Sequence, residues 1–115
     1  MKESEIQAKI REALGREHDL TLWRNNVGVA EMWSSAGKPQ SVRYGLCVGS
    51  SDLIGLLAPG GRFVALEVKR PGEQPTEEQR KFLAHVRQMG GFGAVVRSAD
   101  EARAAVQRAR EGASE

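Results

Sequence analysis

The feature that most restricts what this chain can fold into is a pair of short strands with charge gathered at one end. Pro59-Gly60-Gly61 is a strong turn signal, because proline presets its backbone angle and glycine accepts the conformations a tight turn needs. Residues 52–57 precede it and residues 62–69 follow it, and both stretches read as strands joined in a hairpin. In the second strand, side chains alternate. Val64, Leu66 and Val68 point one way, while Phe63, Ala65, Glu67 and Lys69 point the other. Glu67 and Lys69 therefore emerge together among apolar neighbours, which is costly unless the charges are used or solvated. Folding the hairpin about its turn brings Asp52 opposite a residue between Glu67 and Lys69, with the register open by one residue. In each register two carboxylates and one ammonium group meet at the open end.

The remaining elements build around that hairpin. Residues 3–16 carry Ile6, Ile10, Ala13 and Leu14 at the spacing of one helical face. Residues 21–23 read as a short strand, with Trp23 expected in the core. Residues 25–51, rich in Gly, Ser and Asn, read as mostly irregular, with short strand pieces near 27–30 and 42–44. Pro71-Gly72 ends the charged strand. Thr76 then has the composition of a helix cap, with Gln79 three residues on as its capping-box partner. That helix is expected to reach Met89, with Phe82, Leu83 and Val86 turned inward, and to stop at Gly90-Gly91. A strand over 92–97 and an Ala-rich helix opened by Ser98 or Asp100 complete the chain, and residues 111–115 are expected to fray. The fold class that follows is α/β, a mixed β-sheet flanked by helices, in one domain spanning 1–115.

The charged end has the chemistry of a phosphodiester-hydrolysing site. Two carboxylates are hard oxygen ligands for Mg²⁺ or Mn²⁺, and such an ion polarises a phosphate and acidifies a bound water. A lysine beside them can orient that water or neutralise charge developing on the phosphate. The competing account is an ion pair on an edge strand, and an isolated Glu-x-Lys is common. Asp52 at hairpin distance is what separates the two.

Other chemistries fit poorly. Cys47 is the only cysteine, so neither an internal disulfide nor a multi-thiolate zinc site is available. His18 and His85 are far apart and form no ligand pair, and Gly90-Gly91-Phe92-Gly93 lacks the lysine and spacing of a phosphate loop. A net charge of +2 permits a nucleic-acid partner without requiring one. No apolar run is long enough to span a bilayer, and Met1–Ile10 has no signal-peptide core, so a cytoplasmic location is expected. Arg24, Lys38, Arg43, Arg70, Arg80, Lys81 and Arg87 are the candidate phosphate contacts. Trp33, in a Gly- and Ser-rich stretch, has three roles open to it: stacking on a base, joining a subunit interface, or simple packing.

Taken in order, Gly45, Gly49-Ser50-Ser51-Asp52-Leu53, Phe63-Val64-Ala65-Leu66-Glu67-Val68-Lys69, Gln79, Phe82 and Gly90 resemble the virus-type replication-repair nuclease (VRR-NUC) family of the PD-(D/E)xK superfamily. Arg24-Asn25-Asn26 and an acid in the first helix also belong to the pattern, and the likeness runs over about residues 3–97. The superfamily's usual proline before the first aspartate is replaced by Ser51, a departure common in VRR-NUC members. The resemblance implies a restriction-endonuclease-like core and metal-dependent DNA hydrolysis. Asp52, Glu67 and the Val68 carbonyl would hold the metal, and Lys69 would assist the water. Through the family's stand-alone viral members it further implies a homodimer acting on branched DNA, Holliday junctions in particular, in a bacterial or phage-infected cell; a nuclease of ordinary duplex or flap DNA, and a non-catalytic DNA-binding module on the same fold, are the alternatives. For the helix acid, Glu3 lies on the stripe of Ile6 and Ile10, whereas Glu5 sits about 100° away from Ile6. Glu3 is therefore the candidate, although an acid at a helix N-terminus is also favourable for its own sake. Gln79 is open to two readings, a role near the metal or scissile phosphate and the cap of Thr76.

Overall fold

In a computed structural model describing residues 1–115, the chain runs α1 (Glu3–Leu14), β1 (Leu20–Arg24), β2 (Gly28–Trp33), β3 (Pro39–Tyr44), β4 (Leu53–Leu57), β5 (Arg62–Val68), α2 (Glu77–Gln88), β6 (Phe92–Val96) and α3 (Ala99–Arg110). Four strands form one sheet in the order β1-β4-β5-β6, with β6 parallel to β5 and the other neighbours antiparallel. Helix α2 makes the crossover between the two parallel strands.

The alternation read in β5 sorts the layers. Val64, Leu66 and Val68 pack with Ile6, Ile10 and Leu14 of α1 and with Ala102, Ala105 and Val106 of α3. Ala65 packs with Leu83 and Val86 of α2 on the opposite face, joined by half-buried Phe63 and Phe82. The architecture is thus α/β, a mixed sheet with helices on both sides. Ile10 and Phe92 have no exposed surface, and full burial of such a side chain is worth about 1.5–3 kcal/mol over leaving it in water.

Two expectations are corrected and one is extended. Trp23 is 51% exposed instead of buried. It pairs with Ile54, which pairs with Ala65, so all three lie in one row on the α2 face. Helix α2 covers the β5–β6 end of that row and leaves the β1 end open. In the stretch 25–51 the expected strand pieces near 27–30 and 42–44 are present but longer, as β2 and β3, and the remaining residues are irregular. β2 and β3 pair from Gly28↔Tyr44 to Trp33↔Pro39 as a separate two-stranded arm. Val29, Met32, Trp33 and Tyr44 remain exposed on it, so no core-facing period marks these strands in the sequence. Residues 111–115, expected to fray, are instead tied down. Arg62 donates to the Ala113 carbonyl at 2.8 Å, Gly93 N–H donates to the Ser114 carbonyl at 3.0 Å, and Arg87 pairs with Glu115 at 3.1 Å.

Candidate active site

The register of the hairpin decides where the charges meet. Leu53 pairs with Leu66, so one step further along an antiparallel ladder Asp52 stands across from Glu67. The Asp52 carboxylate accepts a hydrogen bond from the Val68 N–H at 2.9 Å, which fixes one of its oxygens. Lys69, just past the strand, is held by donation of its N–H to the Val96 carbonyl at 3.1 Å. Strand β6 therefore completes the base of the site.

Glu67 and Lys69 are buried, with 1% and 8% of their surface exposed. Burial, the negative charge of Asp52 and a hydrogen bond shared with Asp52 push the Glu67 carboxyl up to about 9, against the opposing pull of Lys69. At neutral pH the metal-free protein thus holds a protonated Glu67. Its Oε2 is buried with no hydrogen-bond partner, and an unsatisfied buried oxygen of this kind needs an explanation.

Glu3 begins α1 and is half-buried, on the stripe assigned to it. Its carboxyl is raised by burial, with Lys69 opposing and Glu73 and Asp52 adding to the rise. Those influences put it at the same charge cluster. Glu5, by contrast, is exposed and its carboxylate accepts from the Lys2 N–H at 3.4 Å. Glu3, Asp52 and Val68 line one cavity of about 210 Å³, which also has Gln7, Arg24 and Asn26 in its wall. A larger groove of about 440 Å³ beside α2 and β5 carries no acid.

Gln79 sits in the first turn of α2. Its Oε1 accepts from the Thr76 N–H at 2.8 Å, and its own N–H donates to Thr76 Oγ1 at 3.2 Å. The capping box is formed, and it leaves the Gln79 amide NH₂ as the group able to reach elsewhere.

Two residues in the site escaped the sequence reading as individuals. Glu73, whose only local signal is its place after a Pro-Gly turn, pairs with Arg70 and influences Glu3. Asn25 is buried, and it binds the loop that carries Asp52. Its Nδ2 donates to Ser50 Oγ at 2.7 Å and to the Ser51 carbonyl at 2.9 Å. Its Oδ1 accepts from the Leu46 N–H at 2.9 Å, and its N–H donates to the Asp52 carbonyl at 2.8 Å. A signal existed in the Arg24-Asn25-Asn26 segment, but which of the three turns inward depends on strand pairing. Two glycines of the pattern serve the same loop. Gly45 and Gly49 have φ of 91° and 83°, in the left-handed region. A Cβ at Gly45 would meet the Asn26 carbonyl oxygen at 2.4 Å, and one at Gly49 the Glu78 carbonyl oxygen at 2.6 Å.

The donor set suits a hard divalent cation. It offers the Asp52 carboxylate and the partnerless Glu67 oxygen, both oxygen ligands of the kind Mg²⁺ and Mn²⁺ take. No group of three His, Cys, Asp or Glu side chains is placed to hold a metal ion by itself. An open set is what Mg²⁺ sites use, since the ion keeps waters and takes substrate phosphate oxygens.

Among known proteins, the family model of the VRR-NUC domain matches residues 1–100. No curated protein matches the chain.

Proposed function

The chain belongs to the VRR-NUC domain family, a nuclease family, and from that membership we propose that it is a Mg²⁺- or Mn²⁺-dependent endonuclease of branched DNA, Holliday junctions in particular. The observation that carries the metal-dependent part is the partnerless Oε2 of buried Glu67 beside Asp52 and Lys69. A carboxylate buried at such cost, with an oxygen left unsatisfied, fits a ligand that arrives from outside the chain.

Asp52, Glu67 and the Val68 carbonyl would hold the ion, which when bound supplies polarisation of the phosphate and a more acidic water. Glu67 gives up its proton to solvent as the site loads, so loading is coupled to pH. The Val68 N–H keeps Asp52 oriented. Lys69, walled in by its own burial, presents a positive charge where negative charge grows on the scissile phosphate. Glu3 orders the water side of the site, and the Gln79 NH₂ is the donor free to reach the substrate. Branched substrate and two-fold assembly go together: resolving a four-way junction takes two cuts on opposing strands, most simply by two sites related by a dyad. The arm of β2 and β3, with Met32 and Trp33 exposed at its tip, is the surface we assign to the subunit contact.

Purified protein with Mg²⁺ or Mn²⁺ should cut a four-way junction faster than linear or flapped duplex, and EDTA should stop it. Full activity in excess EDTA would refute the mechanism. Equal cutting of linear duplex would remove the branched substrate and leave the catalytic assignment standing.

A further inference from the structure

The cavity beside Asp52 contains a cation with no anion to hold it. Arg24 ends β1 at the position paired with Leu53, the residue after Asp52, and its side chain forms part of the cavity wall with Glu3 and Asp52. Of the candidate phosphate contacts, Arg70, Lys81 and Arg87 are each engaged with a carboxylate. Arg24 is in no ion pair. Its guanidinium donates instead to the Asn26 Oδ1, a neutral acceptor 3.2 Å away. That bond uses one of five donors and none of the charge. The backbone beneath it is anchored, because the Asn25 N–H donates to the Asp52 carbonyl and the Asn25 side chain is locked into the loop before Asp52. The base of a fully charged fork is thereby anchored beside the loop whose carboxylate would bind the metal.

We infer that Arg24 clamps the non-bridging oxygens of the phosphate being cut, with Asn26 as the residue that positions it. Guanidinium geometry matches a phosphate with two parallel hydrogen bonds, which lysine cannot reproduce. The inference rests on the nuclease reading above, and it adds the residue that seats the substrate.

The test combines kinetics with a binding cycle. Arg24→Ala should lower kcat/KM on the cut substrate about 10²-fold, the scale of losing one such contact. Arg24→Lys should restore part of this and stay about tenfold below wild type. Asn26→Asp should behave like Arg24→Ala, since a carboxylate at the position of Oδ1 neutralises the guanidinium. Arg24 is exposed, so these variants should melt with the wild type. Binding is then measured in Ca²⁺, on DNA carrying an uncharged methylphosphonate at the phosphate that wild type cuts. Methylphosphonate and Arg24→Ala should each weaken binding about tenfold, and together no more than either alone. Losses that multiply would mean that Arg24 holds a different phosphate, and the inference would fall. Arg24→Ala with wild-type cleavage would also overturn it while the nuclease stands. Wild type that neither binds nor cuts DNA would bring down both readings.

Discussion

Glu67 is the residue on which the electrostatics of the molecule turn. Its carboxyl is raised to about 9 from an ordinary 4.5, with burial as the first cause. The folded, metal-free chain therefore holds a proton that the unfolded chain releases across that window. Stability from this group is full below about pH 4.5 and falls as pH rises toward 9. Melting temperatures in EDTA should accordingly decline more between pH 5.5 and pH 8.5 for wild type than for Glu67→Gln, which stays neutral throughout. Parallel profiles would mean that Glu67 is already ionised in the folded protein. Metal binding has the opposite sign, since the ion competes with the proton, so Mn²⁺ affinity by calorimetry should rise over the same range. Asp52→Ala and Glu67→Gln should both abolish cleavage and keep DNA binding within a few-fold, because the phosphate contacts come from other residues. Lys69→Ala should bind metal and cut about 10²–10³-fold more slowly. Loss of Mn²⁺ affinity in that variant would make Lys69 an organiser of the site instead.

At the scale of elements, the site is a joint between pieces distant in sequence. The N-terminus of α1 brings Glu3, the β4–β5 hairpin brings Asp52 and Glu67, and β6 secures Lys69. Helix α1 is anchored by Ile6, Ile10 and Leu14, so the direction Glu3 takes is set by packing on the far side of the sheet. Glu3→Gln should impair cleavage strongly and Glu5→Gln little; a larger loss from Glu5→Gln would overturn the assignment. Asn25 tests the same joint through stability. Asn25→Ala leaves the buried Ser51 carbonyl and the Leu46 N–H without their partner, at a cost of about 1–3 kcal/mol for each group left unsatisfied. Urea unfolding should show it, and cleavage should fall with it as the loop before Asp52 loosens. Unchanged stability would mean that water replaces the amide and that the latch is not needed.

The whole molecule is elongated, with principal extents of 53 × 32 × 29 Å. An isolated two-stranded hairpin is marginal in water, and this one exposes apolar side chains on both faces. A second copy of the chain packed against the arm would cover them. Light scattering at micromolar concentration should give about twice the chain mass, and Trp33→Glu should lower it. A strictly monomeric protein that cuts junctions symmetrically would refute the dimer. No helix is long and apolar enough to cross a membrane.

Local signals in the sequence were enough for the hairpin of β4 and β5, the two faces of β5, the Thr76 cap, and the meeting of Asp52 with Glu67 and Lys69. Each depends on residues within about 20 positions of one another, where turn chemistry and period-two alternation act directly. Tertiary packing alone decided the rest. Trp23 sits on a good strand, yet its exposure follows from how far α2 reaches across the sheet. The arm of β2 and β3 showed only as short strand pieces near 27–30 and 42–44, because neither face meets the core to set a period along its full length. Asn25 and Glu73 took their places only once β1, β4 and the Pro71-Gly72 turn were set side by side. Their partners, and the exact register that put Asp52 across from Glu67, come from contacts between elements, which no single stretch of the chain encodes.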